Sequence, residues 1–406
     1  MKTTPPGGYH DRMHASIDAP HNSGGGAGRT LGRFLLLNAL LFGGACGGGS
    51  GSGEEAGVKL ETRWHDEGRT LKASEGRQRY GREIGTWTWW HPNGQKQRAG
   101  EYQDGLEQGV WNTYFPSGAR QKEETFVNGV LDGPTTGWFE NGQVQSSLAY
   151  KNGVEEGPHR IWSAGGQLVL QSTFEMGMMV DKIEAWHENG DKRWEVKVVD
   201  GQRNGLYVEW HHGDVKAVEI TYEVGKRVGA TQGWHPNGQK QLEGAYEDDR
   251  MVGEWTTYYD NGQVETRGRA EAGMRIGPWL TYHRNGRLKA ESPFVANLVE
   301  GRQVAWYEDG SESLEMEMTA GEREGSAQAW YPTGRQSSRG TFVHDKKSGE
   351  WFFWNEDGSL DREQTGVYES DQKVGNLTPE ALAEVQPVDA PRIGAEQREE
   401  EDSSDR

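Results

Sequence analysis

The octapeptide WHPNGQKQ stands at residues 90–97 and again, unchanged, at residues 234–241. The separation of 144 residues is six times 24, and a 24-residue ruler laid along the chain finds the same grammar throughout. From Gly85 it lands on Gly109, Gly133, Gly157, Asp181, Gly205, Gly229, Gly253, Gly277, Gly301, Gly325 and Gly349. Taking each of these as position 0, position +5 is Trp90, Tyr114, Trp138, Trp162, Trp186, Trp210, Trp234, Tyr258, Tyr282, Trp306, Trp330 and Trp354, aromatic without exception in a chain that is 10% aromatic. Position +9 is glycine from Gly94 to Gly358 except at Asp214, which follows Gly213 as though the turn had slipped by one. A period this strict admits only a repeat architecture.

Worn copies flank the run: Trp64 with Glu67 and Gly68 at one end, and a last unit of 26 residues from Gly349 to Gly375 at the other. The array is therefore about thirteen units over residues 58–375. Within a unit, a short aromatic-rich run such as TWTWWH leads to PNG, and a second run such as QKQRAGEY leads to QDG. Asn-Gly and Asp-Gly between such runs signal β-hairpins, whose type I′ turns need positive φ at both central residues. The second turn has Gly105, Gly129, Gly153, Gly177, Gly201, Gly225, Gly273 or Gly321 at position +20, with Asp249, Asn297 and Asp345 in the remaining places; all tolerate a left-handed backbone. The fold class is all-β: an elongated antiparallel meander of 24-residue hairpins, advancing ~10 Å per unit and on the order of 100 Å in all.

The +5 aromatics recur on one sheet face, so the pattern predicts a continuous structural ladder that forms the core. A second aromatic, three places earlier, occurs in only some units: Trp87, Trp111, Trp255, Trp279 and Trp351. It breaks strict alternation, which points to a bulge or a late strand start. Because it is dispensable to the repeat, this partial set is the better candidate for stacking on a ligand such as a glycan or a quaternary ammonium group. Histidine follows the ladder at His91, His187, His211, His235 and His283, where other units have Phe or Tyr. Equivalent positions ~10 Å apart cannot share a metal whose ligands lie within ~2.1 Å, so these histidines are expected to act as flat rings rather than as metal ligands.

A mean hydropathy of −0.91 and 59 glycines exclude a thick conventional core. A formal charge of −19 with scattered Lys and Arg argues against nucleic acid and anionic lipid as partners. The single cysteine, Cys46, rules out a disulfide framework. Arg29 and Arg33 precede a nine-residue apolar run at residues 34–42, then Gly43, Gly44, Ala45 and Cys46, and the linker GGGSGSGEEAG. This resembles the signal peptide of a bacterial lipoprotein, with Cys46 as the acylated N-terminus, although Gly43 stands where that pattern usually has leucine. Ordinary cleavage after Ala45 is the alternative. The organisation is then 1–45 as N-terminal extension and signal, 46–57 as linker, 58–375 as the array, and 376–406 as an acidic disordered tail with nine acidic residues against three arginines. No nucleophile with a base, phosphate loop or paired acids stand out, so neither catalysis nor a cofactor is expected.

The grammar G-x-W-x-x-[WY]-[HY]-x-N-G-[QR] followed by x-[YF]-x-x-G-x-x-x-G, as in GEWTTYYDNGQVETRGRAEAGMRIG at residues 253–277, resembles the MORN-variant repeat of bacterial proteins, often described as antitoxin-like. The resemblance implies a hairpin repeat sheet acting in protein–protein or envelope interaction, with membrane attachment through the N-terminal lipid. The alternatives are an envelope glycan-binding module and, if residues 1–45 are retained, a cytosolic antitoxin.

Overall fold

The structure, a computed structural model, describes residues 57–383 and 385–391. Cys46 and the apolar run before it lie outside the described residues. The described chain forms one open antiparallel sheet of 29 strands, a meander of hairpins running from Val58 to Gly375. One repeat shows how it is built. Strands β1 (Val58–Trp64), β2 (Lys72–Arg79), β3 (Arg82–Trp90), β4 (Lys96–Gln103) and β5 (Leu106–Tyr114) each pair with the next in sequence.

The two turns of a unit differ. At the second, Asp104 and Gly105 have φ of 52° and 85°, as a type I′ hairpin requires. At the first, only Gly94 of His91-Pro92-Asn93-Gly94 is left-handed; its N–H donates to the His91 carbonyl at 2.9 Å, and the His91 N–H donates to the Gln95 carbonyl at 2.8 Å. The PNG loop is thus a type I turn closed by a left-handed glycine, not the type I′ turn that Asn-Gly suggests, because Pro92 holds φ negative in the first central place. The supposed slip at Gly213 is also a change of turn. Trp210 still pairs with Lys216 as Trp234 pairs with Lys240, and Asp214 takes the glycine's place at φ 60°.

The bulge expected near the second aromatic falls between hairpins. Where β4 meets β5, Ala99 pairs with Asn112 and Glu101 with Gln108, so Gly109, Val110 and Trp111 face Gly100 alone. Gly109, with φ 70° and open space around it, makes the bend, and its equivalents are left-handed from Gly85 to Gly349. The bend lays Trp111 flat over Gly100, where an added Cβ would lie 2.1 Å from the ring. The same seat recurs for Trp87 on Gly76, Trp255 on Gly244, Trp279 on Gly268 and Trp351 on Gly340. In units without this tryptophan the partner is larger: Met316 faces Ala327, and Ile220 faces Thr231.

These observations reverse the expected roles of the two aromatic sets. Trp87, Trp111, Trp255 and Trp351 are at most 3% exposed and Trp279 is half-buried, so they are core rings rather than ligand-stacking ones. They pack edge to face on the aromatics at +17: Tyr102 to Trp111 at 4.9 Å, Tyr246 to Trp255 at 5.1 Å, Phe342 to Trp351 at 4.9 Å. From Trp90 to Tyr282 the +5 rings are only half-buried, on the opposite face, so the +5 ladder is not the main core there.

Trp111→Ala should lower stability by about 3–5 kcal/mol and Gly100→Ala by about 1–3 kcal/mol, measured by denaturant unfolding. Gly100→Met combined with Trp111→Ala, which copies Met316 over Ala327, should recover much of the loss in a double-mutant cycle. Val224 sits in a type I′ turn at φ 47°, exposed and β-branched, so Val224→Asn should raise stability by about 1 kcal/mol in the same assay.

Candidate functional site

The face bearing the +5 aromatics carries a second periodic row. Lys192, Lys216 and Lys240, at +11, lie 5.5, 5.8 and 6.0 Å from the ring centres of Trp210, Trp234 and Tyr258 in the following unit, and Arg120 lies 5.1 Å from that of Trp138. Each of these cations also pairs with a glutamate three residues on: Lys216 with Glu219 at 2.5 Å, Lys240 with Glu243 at 2.6 Å, and Lys192 with Glu195. The Lys240 ammonium, followed by the Tyr258 hydroxyl, holds the Glu243 carboxyl below its ordinary range. Exposed pairs of this kind contribute little stability, but they screen the aromatic row with compensated charge. At Val144, Leu168, Val264 and Leu288 the +11 residue is apolar instead, and at Glu312 and Gln336 it is polar but not basic.

The +6 histidines do more than present a flat ring. His91, His211, His235 and His283 place Nε2 2.8 to 2.9 Å from the main-chain oxygen of the +5 aromatic in the next unit. A carbonyl can only accept, so Nε2 carries the proton. Tyr259, Tyr307 and Tyr331 make the same bond through their hydroxyls, which explains why His and Tyr alternate at this place. Asn93, Asn237, Asn261 and Asn285 reinforce it, each donating to a carbonyl of the next loop. At the opposite edge, type I′ turn N–H groups such as those of Gly105 and Gly129 donate at 2.8 Å to Glu83 and Glu107 of the preceding unit. His187 departs from the pattern. Opposite the remodelled turn its Nε2 is buried without a partner among the described residues, and its ring lies 4.1 Å from that of His212. No group of three or more His, Cys, Asp or Glu among the described residues could hold a metal ion.

The C-terminal segment departs most from expectation. Residues 376–383 and 385–391, expected to be disordered, lie on the +5 face. Leu377 is buried with Phe352 and Trp354, and α1 (Pro379–Ala383) and Val385 pack beside them. Beyond this the chain continues as a strap: the Trp330 indole N–H donates to the Val388 carbonyl at 3.1 Å, Ala390 N–H to Gly334 at 2.7 Å, and Glu312 N–H to Pro391 at 3.0 Å. Val388 N–H donates to Gln336, whose side chain is 0% exposed. Acidic composition suggested disorder, yet Leu377, Leu382 and Val385 supply enough apolar surface to dock. Trp330 and Trp354, which this segment touches, are each 3% exposed and Trp306, paired with Glu312, is 9% exposed, unlike the nine ladder rings before them.

The family described as MORN repeat variant matches residues 83–104, 131–152, 251–268 and 275–296. Those four segments are MORN-variant repeats. All four matches begin two residues before the left-handed position 0, so the MORN-variant unit is the hairpin closed by the first turn, as β3 and β4 show. No curated protein sequence matches the chain. A TcdB2-TccC3 crystal structure is similar over 78% of this chain and 22% of that one, at 10% identity and a TM-score of 0.15. A Photorhabdus luminescens Tc holotoxin pore is similar over 78% and 21%, at 10% identity and a TM-score of 0.15. The chain thus spans about a fifth of the length of those structures, and at these scores the likeness says nothing of architecture or function.

His235→Phe should cost about 1 kcal/mol by removing the imidazole bond to the Tyr258 carbonyl, whereas His235→Tyr should be close to neutral; denaturant midpoints separate the two.

Proposed function

We propose that the chain is a non-catalytic scaffold that docks proteins along its +5 face, exported to a bacterial envelope and anchored there through acylated Cys46. One observation carries the docking part of this reading: the aromatic row is covered over its last three rings and half-exposed over the preceding nine. A periodic aromatic row with satisfied polar neighbours has the character of an interface core with a polar rim. The glycan alternative loses the residues first assigned to it, because Trp87, Trp111, Trp255 and Trp351 are closed by packing. The location is supported by the sequence alone: basic Arg29 and Arg33, the apolar run at residues 34–42, and Cys46 after small residues. A cytosolic antitoxin requires that these residues stay on the mature protein.

Intact mass and membrane partitioning after expression in a Gram-negative host test the location. A mature, membrane-bound chain beginning at acylated Cys46 is the expected result, and an unprocessed soluble chain overturns it. A photo-crosslinking residue at Leu168, on the +5 face, should capture protein in that host, and one at Leu106, at the type I′ edge, should not. Capture at Leu106 alone removes the docking face.

A further inference from the structure

The repeat allows the strap's seat to be carried to another part of the sheet residue by residue. The strap touches Glu312, Trp330 and Gly334. Seven repeats earlier, 168 residues away, the same three positions are Val144, Trp162 and Gly166. These three, with Thr136, Gln143 and Ser147, line an open depression of about 440 Å³. The depression is therefore the strap's seat without a strap.

Its chemistry is more apolar than that of the covered seat. Where the strap meets the backbone beside Glu312 and the side chain of Gln336, the equivalent positions here are Val144, in the lining of the depression, and Leu168, one repeat on beside Trp162, and Trp138 and Trp186 continue the row on either side. No lysine–glutamate pair occupies it, in contrast to Lys192, Lys216 and Lys240 further along. The Trp162 indole N–H makes no hydrogen bond with any of the described residues, whereas that of Trp330 binds the strap.

The spacing fits an extended chain. From Val388, bonded to Gln336, to Pro391, bonded to Glu312, three residues cross one repeat. Three extended residues reach ~10 Å, and two strand spacings of ~4.8 Å are the same distance, so an extended segment stays in register with the row. Proline suits such a segment because it fixes an extended backbone at low entropic cost, and the strap itself has Pro387 and Pro391.

We infer that the depression over Val144, Trp162 and Gly166 binds an extended, proline-containing segment of a partner protein, crossing the strands as residues 385–391 cross Glu312, Trp330 and Gly334. The Trp162 indole N–H takes a carbonyl of the segment, the Gly166 carbonyl takes an N–H, and Val144 and Leu168 contact its small apolar side chains. This rests on the docking role proposed above and names the partner's chemistry.

The test uses the full chain and a fluorescent synthetic peptide of residues 385–391, followed by anisotropy up to about 1 mM. Saturable binding is expected with the chain's own strap in place. Trp162→Phe, which keeps a ring and removes the N–H, should weaken it about tenfold. Val144→Lys should do the same by placing a charge in the seat, and it should fold, because five other units carry Lys or Arg at this position: Lys96, Arg120, Lys192, Lys216 and Lys240. Absence of binding, or binding indifferent to both substitutions, overturns the inference. So does binding lost with Trp330→Phe but not with Trp162→Phe, which would mean that the peptide merely exchanges with the strap. Concentration-dependent dimerisation abolished by Trp162→Phe also overturns it, by making a second copy the occupant. If the peptide fails while the crosslinker at Leu168 still captures protein, this inference falls and the docking role stands.

Discussion

A sheet made of hairpins in single file has no second layer to bury its rings, so each unit must find its apolar contact on its neighbour. The contact it uses is a large side chain laid over a small one across the bulge between hairpins. Trp111 over Gly100 is the extreme case, with Met316 facing Ala327 as its reversal, and in both the combined volume is what the seat can hold. That contact requires the backbone to bend at position 0, and the bend requires a left-handed residue there. The strict 24-residue glycine period thus has a conformational cause: at Gly85 or Gly109 there is ample room for a side chain, and only φ forbids one.

Once the rings at +2 and +17 are committed to one face, the other face is free for a different use. There the +5 aromatics are shared between cation stacking, the polar rim of lysine–glutamate pairs and, at the C-terminal end, the chain's own strap. The separation of the two faces is visible at the last full unit, where Trp351 and Phe342 belong to one cluster while Phe352 and Trp354 belong to another with Leu377. Alternate residues of one strand therefore serve packing and docking independently. The strap also shows how the row is occupied: mostly through main-chain bonds, a mode that tolerates variation in the bound sequence while fixing its direction and spacing.

Neighbouring units are further tied at both edges by side chains that satisfy carbonyls one repeat away. His235 and Tyr259 perform the same task with different chemistry, so histidine here is a donor of suitable reach. The His187–His212 contact shows the same rule broken: when the facing loop changes its turn, the imidazole loses its carbonyl and is left against another ring.

The sequence by itself determined the period, the hairpins and the antiparallel meander, because glycine and Asn-Gly or Asp-Gly report backbone conformation locally and the repeat multiplies that report a dozen times. It also holds a further signal: glycine stands eleven residues before each of Trp87, Trp111, Trp255, Trp279 and Trp351, which marks them as seated rings rather than ligand contacts. Which aromatic row is buried was decided only by tertiary structure, since both rows are aromatic and a bulge of three residues against one changes what each ring meets without altering the period. The docking of residues 376–383 and 385–391 was likewise beyond local reading. Its seat is assembled from Glu312, Trp330, Gly334 and Gln336, residues drawn from successive hairpins and brought together only when the sheet has formed.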